Sequence, residues 1–308
     1  MKIGNEDVKL YLGSAEISNI YLGTEQVYSG GSEPTPPHDY SQDYLTIESL
    51  QDNNTVYYYV SSTTVANTIS ASTDNGQTWS AYTSSTGGDG TTIATLDTGE
   101  KVLLKGLNSA YAEKVSLYTP YNKINTTARF NVYGNIMSMI SGDSFSNADT
   151  FVSGYTFNYF FKGTDVVSTE NLILPATTLT DWCYGNMFRG CTSLTTAPSV
   201  LPATTLAKSC YRNMFSDCAG LTVAPVLPAT TVQQFCYNQM FQGCTSLNYV
   251  KCLATNISAT NCTKDWVDGV AATGTFVKAA SMSSWTTGNN GIPNGWTVQN
   301  DDGFEDAS

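Results

Sequence analysis

The side chains best suited to chemistry in this sequence are its eight cysteines, which all lie between Cys183 and Cys262. Six of them form three pairs, with eight residues from the first to the second cysteine of each pair. Zinc sites take cysteines two to four residues apart, so this spacing predicts no metal site. Eight residues of helix rise about 12 Å, too far for a disulfide within one pair. Cysteines of neighbouring pairs remain able to bond, but we favour reduced, buried side chains stacked in columns.

Other groups that could catalyse a reaction are sparse. The single histidine, His38, lies beside a Gly- and Pro-rich stretch, and one histidine completes neither a triad nor a metal cluster. A pair of carboxylates can cleave a glycoside. However, residues 171–280, which hold the repeats described next, contain only aspartates that a capping role explains, namely Asp181, Asp217, Asp265 and Asp268. The sequence therefore predicts a protein that is not an enzyme and that uses no cofactor.

The cysteines belong to a repeat with a step of 27 and then 26 residues. LPATTL at 174–179 returns at 201–206 and, as LPATTV, at 227–232. A fixed period of this size is typical of a solenoid, in which each unit buries its apolar face against the next. The residues expected to line up are Cys183, Met187, Phe188, Cys191 and Leu194, then Cys210, Met214, Phe215, Cys218 and Leu221, then Cys236, Met240, Phe241, Cys244 and Leu247.

Within one copy, Cys183, Met187 and Cys191 recur every four residues, which predicts one face of a helix. Asp181 would cap its start, and Gly190, or Gly243 in the third copy, would end it. The β-branched stretch at 194–198 then predicts a short strand closed by a proline. One helix and one strand per copy predict an α/β solenoid of about five turns over residues 140–280, behind β domains.

The motif LPATTL…CYxxMFxGCTSLTTAP resembles the BspA-type leucine-rich repeats of gut Bacteroidales and of the phages that infect them. The likeness covers nearly half of the chain. The segments 266–270, 274–277 and 291–298 are also similar to the usual ending of that family. The resemblance implies a leucine-rich repeat solenoid that presents a binding surface to a host.

The region before the repeats predicts a β-sandwich of the immunoglobulin type over residues 41–139. Strands are expected at 45–48, 56–60, 69–72, 101–105 and 130–133, and a short helix at 133–143. Ser72, Asp74, Gly76 and Trp79 fit the pattern S-x-D-x-G-x-T-W and resemble the Asp-box hairpin of sialidases and of many non-enzymes. The resemblance implies a structural turn, and a single copy argues against a propeller.

The N-terminal residues 1–30 contain a second, smaller repeat. LYLGSAEI at 10–17 returns as IYLGTEQV at 20–27, which predicts two hairpins too small to fold alone. We therefore expect this module to dock on another protein or on copies of itself. It resembles a module of Bacteroidales phage structural proteins. A Gly/Pro linker at 31–40 follows it, and residues 281–308 are expected to form a C-terminal cap with an acidic tail.

The composition indicates what kind of partner to expect. The net charge is −12 and only 13% of residues are charged. This balance of charge predicts that the protein has no basic face for nucleic acid. The sequence has no long apolar stretch, which predicts neither membrane insertion nor an export signal. A surface rich in Thr, Ser, Asn and Tyr favours a glycan or a protein as partner.

Three functions fit these observations. The first is a phage virion protein, a head or tail fibre or adhesin assembled in the bacterial cytoplasm. Residues 1–30 would attach it to another virion protein, the repeats would bind a host-surface glycan or protein, and family likeness implies a homo-oligomer, such as a trimer. The second is an exported BspA-like adhesin on the bacterial surface, and the third is a glycan-binding module of a carbohydrate-active enzyme. The binding candidates lie on the predicted strand face: Thr195, Thr196, Thr222, Asn248, Tyr249 and Lys251.

Overall fold

The computed structural model describes residues 38–115, 119–283 and 285–301, together with the backbone of six short strands between Lys2 and Ser29. The chain divides into two compact units, Met1–Asp39 with Gly303–Ser308 and Tyr40–Asp302. In the described residues the architecture is rich in β-strands and poor in helix. No helix of the described part is long and apolar enough to cross a membrane.

The first unit contains three antiparallel strand pairs. They are β1 (Lys2–Ile3) with β2 (Glu6–Asp7), β3 (Tyr11–Leu12) with β4 (Ala15–Glu16), and β5 (Asn19–Leu22) with β6 (Glu25–Ser29). The second and third pairs confirm the strand pairing predicted from the ten-residue repeat. The predicted glycine turns at 13–14 and 23–24, and the linker at 31–37, lie outside the described residues.

The larger unit contains three open sheets. The first has the order β10-β9-β12-β7-β14-β15, with β16 also paired to β14, the second is β11-β8-β13, and the third is the parallel sheet β17-β18-β19. The strands are β7 (Leu45–Ser49), β8 (Asn54–Val60), β9 (Thr68–Ser72), β10 (Ser80–Thr83), β11 (Thr91–Leu96), β12 (Lys101–Gly106), β13 (Asn122–Thr126), β14 (Phe130–Asn135), β15 (Val166–Ser168), β16 (Leu172–Ile173), β17 (Tyr249–Cys252), β18 (Thr275–Ala279) and β19 (Thr297–Asp301).

The strands before the repeats follow the alternation of their sequences. In β8, Val56, Tyr58 and Val60 are buried, while the residues between them are half-buried, because successive side chains of a strand point to opposite faces. Five predicted strands are present as β7, β8, β9, β12 and β14, and the short helix α1 (Ser138–Ser141) follows them. The Thr-, Ser- and Asn-rich strands β10, β11 and β13 were not predicted.

The predicted leucine-rich repeat solenoid, with one helix and one strand per copy, is wrong. In the described residues α1 is the one α-helix, and it lies before the repeats. The segments expected to be helical consist of successive turns, and the strand expected at 194–198 is reduced to an isolated bridge between Ser168 and Thr196. Strands at this part of a copy are present as β15, β17 and β18. None of the three sheets is closed or solenoid-like. The fold is β-rich.

The hydrogen bonds explain why a four-residue period indicated a helix wrongly. The amides of Trp182 and Tyr184 donate to carbonyls of the following copy, whereas those of Cys183 and Gly185 donate to carbonyls three residues earlier. An α-helix would direct every amide to the carbonyl four residues earlier. Left-handed backbone recurs every four residues at Trp182, Asn186 and Gly190 (φ 60°, 55° and 75°). The period therefore arises from a chain of turns.

The apolar residues of successive copies stack on one another. Phe161, Phe188, Phe215 and Phe241 form a column of nearly parallel rings whose centroids are 5.6–5.8 Å apart. Trp285 stacks on Trp266 at 5.5 Å near the end of the repeats. This packing removes the stacked aromatic side chains from water, and the burial of their apolar surface stabilises the region.

The fifteen repeat residues expected to align are all buried, and all eight cysteines are buried and unpaired. The second cysteine of each copy donates from Sγ to a phenylalanine carbonyl of the preceding copy, as Cys191 does to Phe161 at 3.1 Å. In the other cysteine column, Sγ of Cys210 lies 2.8 Å from Sγ of Cys236. The cysteines therefore serve as small core side chains that also satisfy buried carbonyls.

Candidate binding surfaces

The six predicted binding residues, which we call the threonine row, lie on consecutive copies. The amide of Thr195 donates to Val167, and that of Asn248 donates to Thr222, so backbone hydrogen bonds join neighbouring copies along the row. Thr195, Thr222 and Asn248 are exposed, while Thr196, Tyr249 and Lys251 are half-buried. The structure thus brings the predicted residues onto one face.

The charge of the threonine row is already neutralised. Nζ of Lys251 lies 3.1 Å from a carboxylate oxygen of Asp301 on β19, and both side chains are largely covered. The remaining members offer short hydroxyl and amide groups. Tyr249 is the one aromatic residue among the six members of the row, and its side chain is half-buried. The row is a polar, flat surface.

The Asp-box residues form the hairpin turn between β9 and β10. Asp74 accepts hydrogen bonds from the amide of Thr78 at 2.9 Å and from its hydroxyl at 2.6 Å, and Ser72 donates to Asp74 at 2.7 Å. These hydrogen bonds lower the pKa of Asp74 to about 2, and the bond from the Thr78 hydroxyl has the largest effect. Gly76 has a φ of +85°, and the indole of Trp79 donates to its carbonyl. Every polar group of the turn is thus occupied in holding its shape.

Lys105, which lies beside Trp79, is also neutralised. Its Nζ lies 4.0 Å from the Trp79 ring centre and 2.7 Å from a carboxylate oxygen of Asp143. Tyr44 donates to the same oxygen at 2.7 Å. Burial and this hydrogen bond raise the pKa of Tyr44 to about 12. The cluster ties β12 to the segment after α1 and leaves no unpaired charge.

A different surface combines aromatic rings with cations. We call it the aromatic-cation surface, and it comprises residues of β8, of β13 and the residue before it, and of four successive copies of the repeat. Its rings and the Lys123 and Lys162 side chains are half-buried, and Arg189 is exposed. Its members are Tyr59, Tyr121, Tyr155, Tyr159, Trp182, Phe235, Lys123, Lys162, Arg189 and Arg212.

The rings and cations of this surface are in direct contact. Tyr121 and Tyr159 have centroids 4.7 Å apart, and Nζ of Lys162 lies 5.5 and 5.0 Å from them. The rings of Tyr155 and Trp182 are parallel at 5.9 Å. A cation within about 6 Å of a ring centre is attracted by the electrons of the ring face. The contacts therefore hold positive charge at a surface that is also apolar.

Arg212 occupies a gap in an aromatic column. Tyr155, Trp182, Ser209 and Phe235 are equivalent positions of successive copies, and only Ser209 lacks a ring. The guanidinium carbon of Arg212 lies 5.2 Å from the Trp182 centre and 5.5 Å from that of Phe235, so it replaces the missing ring. Its Nε is buried without a hydrogen-bond partner. A guanidinium held in this way has unused donors in its plane.

The backbone under these rings is strained. Tyr155, Trp182 and Phe235 adopt φ values of 59°, 60° and 57°, which bulky residues rarely adopt. The equivalent residue of a later copy is Asn261, a type that tolerates this conformation well. Three large aromatic residues in place of asparagine therefore cost stability. Strain of this kind is typical of functional sites.

The cations of this surface are poorly compensated. Within the described part of the chain, Lys123, Lys162 and Arg212 make no ion pair, and Arg189 lies 3.9 Å from Asp217. Burial, followed by the nearby Lys162, lowers the pKa of Lys123, although Cys191 acts against this. Burial and Arg189 lower the pKa of Lys162, and burial also lowers that of Arg212. These shifts have the sign expected of positive charges that repel one another at low hydration.

The distribution of charge along the chain does not indicate this surface. Residues 171–280 carry six basic and four acidic side chains, an excess that gave no reason to expect a cluster. The cations come from separate elements and meet only after folding. One signal was present: the aromatic residues at 155, 182 and 235 share one position of the repeat.

The described residues offer little for catalysis or for metal binding. Among them, no three His, Cys, Asp or Glu side chains are placed to hold a metal ion. Burial raises the pKa of Cys191 to about 11 and the pKa of Cys244 and Cys252 to about 12. A thiol of such high pKa is a poor nucleophile. These cysteines are suited to packing.

Comparison with protein-family models, with curated proteins and with solved structures gives no match for this chain. Its function is therefore argued from the surfaces described above.

Proposed function

We propose that this protein is a non-enzymatic attachment protein of a phage virion, a fibre or adhesin, that binds a saccharide of the host surface through the aromatic-cation surface. The observation that carries the proposal is the set of half-buried rings at strained left-handed positions. Aromatic faces pack against the C–H faces of sugar rings, and neighbouring cations and hydroxyls bind the sugar oxygens.

The stacked copies support this role because they hold the rings rigidly. The backbone hydrogen bonds and the buried phenylalanine column fix the distance from one copy to the next. A preformed surface loses little conformational entropy on binding. The threonine row has the same rigidity but no exposed ring and no free charge, so it makes a poorer saccharide site.

The virion assignment rests on the likeness of both ends of the chain to phage proteins. The hairpins at 11–29 are the expected attachment module, because strands this short need a partner to be stable. Immunogold labelling of purified particles of a phage carrying this gene, with antibody against the full chain, tests the assignment. If the antibody labels the bacterial surface and does not label the phage particles, the result would favour the exported adhesin instead.

An oligosaccharide array probed with the full-length protein tests saccharide binding. Trp182→Asn is the informative variant, because the chain itself uses Asn261 at the equivalent left-handed position, so folding is preserved. We expect the bound signal to fall by about two- to tenfold, since one aromatic contact contributes about 0.5–1.5 kcal/mol. Thr195→Ala, on the threonine row, is the matched control and should change little. Loss of binding in Thr195→Ala with binding intact in Trp182→Asn would overturn the proposal.

A further inference from the structure

The charges of the aromatic-cation surface define the kind of saccharide that it would take. We infer that the ligand is an acidic saccharide, whose carboxylate or sulfate group lies at Arg212 beside Arg189 and Lys162. This inference rests on the proposed function and adds to it the chemical class of the ligand.

The distribution of charge is the first argument. The chain has 14 Lys and Arg against 26 Asp and Glu, yet four of its cations belong to this one surface. Asp89 lies near Lys123 and Asp181 lies near Tyr155, but in the described residues neither makes an ion pair with this surface. Asp217 does, and its contact with Arg189 is long, with both side chains about half exposed. Such a contact neutralises little charge. Positive charge collected on an acidic protein favours an anionic partner.

The shape of the Arg212 site is the second argument. Trp182 and Phe235 cover the two faces of the guanidinium, so its N–H donors remain directed into its own plane. The Nε donor is buried without a partner, so an incoming anion would meet the terminal N–H groups of the guanidinium. Carboxylate and sulfate present two oxygens in a plane and match this fork. A neutral hydroxyl would satisfy one donor and leave the charge uncompensated.

The contrast with Lys251 and Lys105 supports this interpretation. Each of those lysines has an acidic partner, at 3.1 and 2.7 Å respectively. Among the described residues, Lys123, Lys162 and Arg212 have no acidic partner, and Arg189 has only the long contact with Asp217. A ligand that supplies the anion would complete the same arrangement.

Single-stranded nucleic acid also combines anions with flat rings, but the surface fits it poorly. Tight binding of that kind neutralises phosphates with an extended series of cations, and this chain has a net charge of −12. Four cations confined to one patch suit an acidic sugar of a few units. An oligonucleotide therefore serves as an alternative outcome of the test.

The test measures dissociation constants of the full-length protein by calorimetry. The probes are a heparin-derived hexasaccharide, a galacturonic acid hexamer, neutral maltohexaose and a single-stranded hexanucleotide. We expect at least one of the two acidic sugars to bind about tenfold or more tightly than the neutral one. The comparison of sulfate with carboxylate identifies the anion. Equal affinity for maltohexaose, or tighter binding of the oligonucleotide than of both acidic sugars, would overturn the inference.

Charge-removal variants locate the anion. Arg212→Gln and Arg189→Gln should each weaken binding of the acidic sugar by roughly tenfold, while Lys251→Gln, which removes the same charge elsewhere, should not. Arg212→Lys keeps the charge without the planar fork and should bind less well than wild type. Arg189 is exposed, so its variant keeps the test valid if Arg212→Gln does not fold. Unchanged affinity in both glutamine variants would contradict the inference.

The two proposals fail in different ways. Suppose that the array shows binding of neutral sugars and that Trp182→Asn weakens this binding. The proposed function then holds, and the inference of an acidic ligand is wrong. If no sugar of either kind binds, both are wrong.

Discussion

The side-chain amide of Asn213 donates from Nδ2 to Oδ1 of Asn186 at 3.2 Å. Asn186 in turn donates to Asn158, which lies one residue before the equivalent position of the preceding copy, at 3.1 Å. The three asparagines thus form a buried ladder across three copies. The ladder stops at Asn213, whose Oδ1 is buried without a partner. The next equivalent position is Gln239, which has left-handed backbone and donates instead to Gln242.

Gln239→Asn should therefore stabilise the protein. Asparagine tolerates positive φ better than glutamine and would place a donor next to the unsatisfied oxygen of Asn213. We expect a gain of about 1 kcal/mol and a midpoint higher by about 2 °C in thermal unfolding. Gln233→Asn, an exposed position without positive φ, is the control. A midpoint that falls in Gln239→Asn and not in the control would disprove the ladder argument.

The Asp-box turn should give the stability a measurable pH dependence. The pKa of Asp74 is lowered to about 2 in the folded protein, below its ordinary value of 3.8, so the unfolded state binds more protons between these values. Its contribution is thus complete above about pH 4 and is lost as the pH falls through about 2. Carboxyl NMR titration should show this midpoint. In Thr78→Val the midpoint should rise, and in Thr73→Val it should not.

The cysteines should resist modification while the protein is folded. All eight are buried, and burial raises the pKa of thiols such as Cys191 and Cys252. Because the thiolate is the reactive form, iodoacetamide at pH 8 should label few of them within minutes, and all eight after denaturation. The rates are measured by mass spectrometry of intact protein. Rapid labelling of Cys210 or Cys236 in the folded protein would show that the columns open to solvent.

Truncation inside the stack should cost far more than truncation on its surface. Met214 is fully buried in the second full copy, whereas Val223 is half exposed. We expect Met214→Ala to lower the free energy of unfolding by about 2–5 kcal/mol, and Val223→Ala by less than about 0.5 kcal/mol. Denaturant unfolding monitored by tryptophan fluorescence measures both. Similar costs for the two variants would mean that the copies do not pack as described.

The repeat could be predicted from the sequence, but the conformation of one copy could not. Repetition identified which residues align, because identical residues at a fixed step must occupy equivalent positions. The interval of four between Cys183, Met187 and Cys191 fits both a helix and a chain of turns. The distinction depends on whether the intervening amides bond within a copy or to the next one, which is a property of the tertiary fold.

The candidate site was hidden for a similar reason. Tyr59 and Lys123 are cross-strand neighbours of β8 and β13, and Arg212 belongs to a copy far along the chain. Their proximity to the rings of Tyr159 and Trp182 depends on how the sheets and the copies pack. The threonine row was found more readily, since its members share one position of the repeat or lie beside it.

The most direct test of the account is whether ligand binding is reported by Trp182. The chain has five tryptophans, and Trp182 is the one on the aromatic-cation surface. Tryptophan emission is recorded while the full-length protein is titrated with the tightest-binding sugar of the array. In wild type the emission should change with ligand concentration. In Trp182→Phe, which keeps a ring, binding measured by calorimetry should persist while most of that change disappears. An emission change that survives intact in Trp182→Phe would place the ligand elsewhere and contradict the account.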